Sequence, residues 1–216
     1  MRREAFLVLL VCISLVSVLK ADDTPYGRCI DSMFNNANSD FNTALNISTD
    51  ITWRNSKSLD RAVLKIIQTG GIDGLNSVCN ARQAFSQSLG FTYPFCIDRY
   101  YLLSLGNTDF VNTVYYVHLF KHLEFVCSAD YEVYLYENTC ITGGEMAPGY
   151  EACRATFTNS LQNDYNNLCP NVQILMNCIQ TFFKSIRICS TFAAWSECEK
   201  ERVGFAYDCP NLVCNV

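Results

Sequence analysis

The chain is poor in the residues and spacings that common enzymes use. Two histidines, His118 and His122, occur among 216 residues. There is no G-x-S-x-G elbow, so the strained turn that exposes a hydrolase serine is missing. No glycine-rich loop is present to cradle a phosphate. A secreted phospholipase would place a His-Asp pair beside paired cysteines on a helix, and that arrangement is absent. No two cysteines stand in a C-x-x-C pair, the spacing that lets neighbouring thiolates converge on zinc. Basic clusters are lacking too, and the formal net charge is −5. That balance suits neither nucleic acid nor an anionic membrane surface. The final residues, PNLVCNV, form no hydrophobic tail, which argues against a C-terminal lipid anchor. Period-two alternation is confined to YEVYLYE (residues 131–137), where helical spacing fits equally well and is preferred.

What the chain has is export chemistry. Arg2 and Arg3 precede an apolar run from Ala5 to Leu19, and small residues follow. The pattern is that of a secretory signal peptide spanning residues 1–21, with Ala21 before the cut. The alternative, a membrane anchor, needs about 20 apolar residues where this run has roughly 15. Cleavage removes three basic residues and one acidic residue, taking the charge from −5 to about −7. It also removes Cys12. Twelve cysteines remain: Cys29, Cys79, Cys96, Cys127, Cys140, Cys153, Cys169, Cys178, Cys189, Cys198, Cys209 and Cys214. An even set in an oxidising compartment implies six disulfides and no catalytic thiol. The spacing leaves their pairing open. Asn46-Ile47-Ser48 is a glycosylation acceptor in a polar stretch, so a glycan is expected at Asn46.

Residues 22–216 read as one all-α domain, a disulfide-stapled bundle of about six to eight helices. Thr24 and Pro25 suit a helix start. Ile30, Phe34, Ala37, Phe41, Ala44 and Leu45 share one helix face. A helix capped by Ser58 carries Leu59, Ala62, Val63, Ile66 and Ile67 and ends at Gly70. A second, from Asp73 to Gly90, follows so closely that the two should pair antiparallel. Tyr93-Pro94 should break the chain before a short aromatic helix from Cys96 to Gly106.

The stretch 109–140 is the expected centre, two helices joined near Cys127, the first apolar on every side. TGGEMAPG (residues 142–149) has the richest turn composition and reads as a loop between two lobes. Beyond it lie a helix carrying Tyr150, Cys153, Phe157 and Leu161 and one carrying Val172, Leu175, Met176, Ile179 and Phe183. A last helix capped by Thr191 presents Phe192, Trp195 and Cys198. The tail with Cys209 and Cys214 should be irregular.

His118 and His122 sit four apart, a spacing that can hold zinc on a helix. Leu119 stands where a metalloprotease needs its glutamate, and a third ligand is missing, so no metal is expected. The aromatic set Tyr100, Tyr101, Tyr115, Tyr116, Phe120, Phe125, Tyr131, Tyr134 and Tyr136 reads first as core. It could otherwise line an apolar pocket or a partner-binding patch.

Phe125-Val126-Cys127, Tyr131 and Cys140, with the series Cys153, Cys169, Cys178, Cys189 and Cys198, carry a resemblance. Over roughly residues 27–200 the chain resembles the nematode secreted cysteine-rich helical domain of unknown function nineteen, and also the related domain of chondroitin proteoglycan four. The resemblance implies secretion and disulfides and supplies no catalytic residue. Chondroitin is attached at Ser-Gly, a dipeptide this sequence lacks, so a proteoglycan role is not expected. The expected function is a secreted, non-enzymatic binding module without cofactor, acting on an extracellular protein or glycan. The alternative is a carrier of a lipid or other small apolar ligand.

Overall fold

The computed structural model describes residues 28–163 and 165–215. The signal peptide, the Asp22-Asp23 terminus and the Thr24-Pro25 helix start lie outside the described residues. Among those residues the secondary structure is helical throughout: α1 (Asp31–Ala44), α2 (Ser56–Leu89), α3 (Tyr93–Cys96), α4 (Arg99–Ser104), α5 (Phe110–Val126), α6 (Tyr131–Glu145), α7 (Pro148–Asn163), α8 (Leu168–Ser185) and α9 (Thr191–Phe205). None of the described helices is long and apolar enough to cross a membrane.

The expected centre is confirmed. Asp109 caps α5, its side chain accepting from the Asn112 N–H. Beyond that cap the helix is buried on nearly every side, from Val111 to Val126. One side meets α1 and α2 in an aromatic layer. Phe120 stacks on Phe85 at 4.3 Å between centroids, and Phe41 and Tyr116 lie 5.3 and 4.9 Å from it. The opposite side meets α9, where His118 stacks on Phe205 at 4.6 Å.

The antiparallel pair is present within α2. Ser56 bonds to Asn112 at the start of α5, Cys79 is bridged to Cys127 at its end, and Phe85 has returned to Phe120. The reversal lies at Gly71, where φ is +56°. Only glycine takes that conformation at little cost. Gly74 completes the turn, since a β-carbon there would lie 2.2 Å from the Ile66 carbonyl oxygen.

Four sequence expectations need correction. The loop at 142–149 is mostly helix: α6 runs through Gly143 and Gly144 to Glu145, and only Met146 and Ala147 connect it to α7. Gly144 serves packing instead of turning, because a β-carbon there would strike the Phe183 ring at 2.5 Å. Tyr93-Pro94 opens the single turn α3, with Pro94 where its missing N–H is not needed. Ser58 lies inside α2, which starts two residues earlier behind a turn capped by Thr52. Ser190, not Thr191, caps α9 through the Ala193 N–H at 3.0 Å.

The twelve cysteines form six bridges: Cys29–Cys96, Cys79–Cys127, Cys140–Cys189, Cys153–Cys178, Cys169–Cys209 and Cys198–Cys214. They fall into two sets. Two bridges lie before residue 130, four lie after it, and none joins the sets. The sets are held together by packing around α5 and by ion pairs. Asp60–Arg154, Arg61–Glu151, Arg99–Asp208 and His118–Glu201 all cross between them.

Candidate functional site

Two polar features stand out, one inside the bundle and one at its surface. The interior one is built by α9. This helix is packed against α5, α6 and α8, and it buries Ser196, Glu197, Lys200 and Glu201. Lys200 is fully buried, its Nζ 2.6 Å from Glu145 and 2.5 Å from Glu197. The Tyr134 hydroxyl bonds to both carboxyls. Ser196 donates to Asp130 at 2.6 Å. His118 Nε2 lies 2.8 Å from Glu201, a close approach that is poorly aligned as a hydrogen bond. Arg154 pairs with Asp60 at the outer end of the cluster, where a groove of about 190 Å³ also exposes Lys57, Arg61 and Glu151.

Burial drives the protonation states of this cluster. It pushes Glu197 up to about 8, with the neighbouring Glu145 carboxylate adding to the rise and Lys200 opposing it. Burial also raises Asp130 to about 6. For Glu201 burial works upward as well and is the largest single influence, but His118, Lys200 and Arg154 together outweigh it and hold the carboxyl at about 2. Burial keeps His122 well below the usual imidazole range, helped by Lys200 and His118.

These shifts set the pH dependence. The folded value of Glu197 exceeds its unfolded 4.5, so the associated stability is complete below pH 4.5 and is lost as pH rises towards 8. Asp130 acts in the same sense between 3.8 and about 6. His122 is depressed, so stability falls as pH drops below 6.5. Glu197 dominates above neutrality. The melting temperature should rise when pH is lowered from about 8.5 to about 7. Glu197→Gln, which fixes the neutral form, should remove most of that rise. Thermal melts of both proteins across this range check it; a wild-type curve that is flat or falls on acidification contradicts the assignment.

Gly204 makes the α5–α9 contact possible. A β-carbon there would sit 2.2 Å from His118 Cδ2. Gly204→Ala is expected to cost about 1 to 3 kcal/mol by overpacking, despite alanine's better helix propensity. Urea denaturation measures it.

The surface feature surrounds Arg99, the first residue of α4. Asp98 caps this helix by accepting the Tyr101 N–H at 2.9 Å. Arg99 Nη2 reaches Asp208 at 2.9 Å, and the guanidinium lies over Tyr100 and Phe110. A groove of about 410 Å³ lies on one side, between Arg28, Phe95, Ile97, Val117, Lys121 and Tyr207. An open concavity of about 610 Å³ lies on the other, beside Tyr100, Leu103 and Pro170. Tyr100 is 63% exposed and Tyr207 76%. Cys29–Cys96 from one set and Cys169–Cys209 from the other flank the region. The site thus straddles the junction of the two sets.

The residues singled out from sequence divide between core and surface. Tyr115, Tyr116, Phe120 and Tyr134 are buried, whereas Tyr100 and Tyr136 are exposed. Tyr101 and Tyr131 are part-buried, with their hydroxyls on Asp31 and Asn76, and Phe125 packs at the core edge. His118 and His122 are both buried, and no group of three metal-ligating side chains occurs among the described residues. Asn46 is exposed, at a left-handed turn that ends α1. Sequence reading missed Arg99, Tyr207 and Asp208, which come together only through the return of the C-terminal tail. It missed Glu197 and Lys200, which lie in a stretch with the composition of a solvated face, and Glu145, which lies in the segment read as a loop.

Comparison with protein-family models, with curated proteins and with solved structures returned no match.

Proposed function

We propose that this chain is a secreted, N-glycosylated, non-enzymatic binding module of the nematode cysteine-rich type, and that it engages an extracellular protein or glycan through the Arg99 face. The observation that supports this most is the exposure of Tyr100 and Tyr207 around a partly buried arginine. Tyrosine and arginine are the residues that concentrate binding energy at interfaces. The flanking bridges hold that face rigid, which lowers the entropy lost on binding. The buried ion pairs serve the fold: each charged partner sits against another on a packed helix.

The carrier reading has one observation in its favour, a groove whose volume suits a small ligand. Against it, the central aromatics pack on one another, and the concavity beside His118 measures about 10 Å³, no more than one water. Exposed tyrosines suit a surface partner better than an enclosed tail.

The test begins with expression of the full chain in a eukaryotic secretory host. The mature protein should start near Asp22 and lose mass when its N-glycan is enzymatically removed. It would then be screened against extracellular protein and glycan arrays beside Tyr100→Ser and Tyr207→Ser. Hits lost in both variants, with unchanged melting temperature, support the reading. Hits unaffected by either variant place the binding face elsewhere and overturn it.

A further inference from the structure

We infer that the tip of the α8–α9 hairpin docks on a phospholipid membrane that carries acidic headgroups. None of the residues of the Arg99 face takes part.

The two helices pack closely and are joined by the short turn 186–190. Within it the Cys189 N–H bonds to the Ile186 carbonyl at 3.0 Å, and the Cys140–Cys189 bridge ties the turn to α6. The tip is therefore held in shape. It presents apolar side chains to water. Ile188 is 66% exposed, and Phe192, in the first turn of α9, is 55% exposed. The Phe192 ring stacks on the part-buried Trp195 at 5.4 Å, with the planes 8° apart. Single exposed apolar side chains are ordinary, but three large ones within residues 188–195 of one braced turn form a patch.

The charges beside the patch favour a particular cover. Lys184, in the last turn of α8, and Arg187, in the connecting turn, are exposed. Neither enters an ion pair among the described residues. Residues 165–196 contain no Asp or Glu. The chain as a whole is acidic, but the Debye length at physiological salt is about 8 Å, so the local charge decides. Basic groups beside aromatic and aliphatic ones match the boundary of a bilayer. The ammonium and guanidinium meet headgroup phosphates and carboxylates, an indole takes the interface, and Ile188 and Phe192 reach the acyl chains. A turn at the end of a hairpin also enters a fluid surface without needing a complementary pocket. None of the concavities described above is lined by the residues of this tip. Docking of this kind lies on the membrane and needs no spanning helix.

Cosedimentation of the disulfide-intact secreted protein with vesicles tests this. One set is phosphatidylcholine alone, and the other a three-to-one mixture of phosphatidylcholine and phosphatidylserine. The mixed vesicles should bind at least about 10-fold more tightly, and raised salt should narrow the difference. Trp53 is buried, so a blue shift of tryptophan emission on binding reports Trp195. Lys184→Gln combined with Arg187→Gln should remove most of the preference for the acidic lipid. Phe192→Ser should weaken binding to mixed vesicles by about 10-fold and reduce the blue shift. Tyr207→Ser should bind vesicles as wild type does. Each of these changes replaces an exposed side chain, and circular dichroism and melting temperature establish that each variant is folded.

Absence of binding to mixed vesicles at low salt overturns the proposal, and so does binding indifferent to both tip variants. A dimer seen by analytical ultracentrifugation, dissolved by Phe192→Ser while vesicles stay unbound, overturns it too, because the tip then meets a second copy. Vesicle binding lost in Tyr207→Ser and kept in Phe192→Ser would place the membrane contact at the Arg99 face and remove it from the tip.

Discussion

Lys200→Met is expected to lower the unfolding free energy by about 3 to 5 kcal/mol, the usual cost of stranding a buried charge by removing its partner. The whole stability of such a domain is about 5 to 15 kcal/mol, so this one change brings the fold close to collapse. The cause is the geometry around Nζ. Glu145 comes from α6 and Glu197 from the preceding turn of α9, both essentially inaccessible to water. Without the ammonium, Glu145 must either remain a bare buried carboxylate or take up a proton. The loss should therefore shrink when Glu145→Gln is added to Lys200→Met, because the stranded charge is then gone. Guanidinium denaturation at neutral pH measures both proteins. If Lys200→Met costs less than about 1 kcal/mol, water reaches the site and the burial described above is wrong.

Removing a disulfide should have an effect of similar size, graded by the loop it closes. Cys29–Cys96 spans a separation of 67 residues and Cys198–Cys214 one of 16. Chain entropy assigns about 4 to 5 kcal/mol to the first and about 3 kcal/mol to the second. Paired Cys→Ala variants, compared by denaturation, test the order. Full reduction should unfold the chain, since no covalent link would then remain in either set. The two sets are joined through the backbone and through non-covalent contacts, among them the α5–α9 packing and the ion pairs of α2 with α7 and of Arg99 with Asp208. Native-state hydrogen exchange on the oxidised protein should therefore show both sets opening together in the wild type, and one opening independently of the other when Gly204→Ala loosens that seam. Independent opening of one set in the wild type would mean the seam is weak already.

Much of the architecture was legible in the chain. Stripes such as Leu75, Val78 and Phe85, or Val172, Leu175, Met176 and Ile179, mark helices because burial on one face repeats at helical spacing. The dense apolar stretch from Val111 to Val126 marks a helix buried on nearly every side. The error at 142–149 arose from reading glycine as a turn former, when Gly144 is needed small to admit Phe183. The candidate site was far less legible. Arg99 and Asp208 lie over a hundred residues apart, and only Tyr100 and Tyr101 of the neighbouring aromatics had drawn notice.

The amino-acid sequence by itself determined the helical class, the number of cysteines to be paired and the acceptor at Asn46, because each depends on residues close together or on a count. Tertiary structure alone decided which cysteines meet and which charges are buried. Helix α9 shows the physical reason. SECEKERV (residues 196–203) has the composition of a solvated surface, and in isolation water would hold every one of its charges. It is buried because Asp130 just before α6, Glu145 of α6 and His118 of α5 offer partners at hydrogen-bond or ion-pair distance. Whether a charge can leave water depends on what it meets, and that is a property of the assembled bundle.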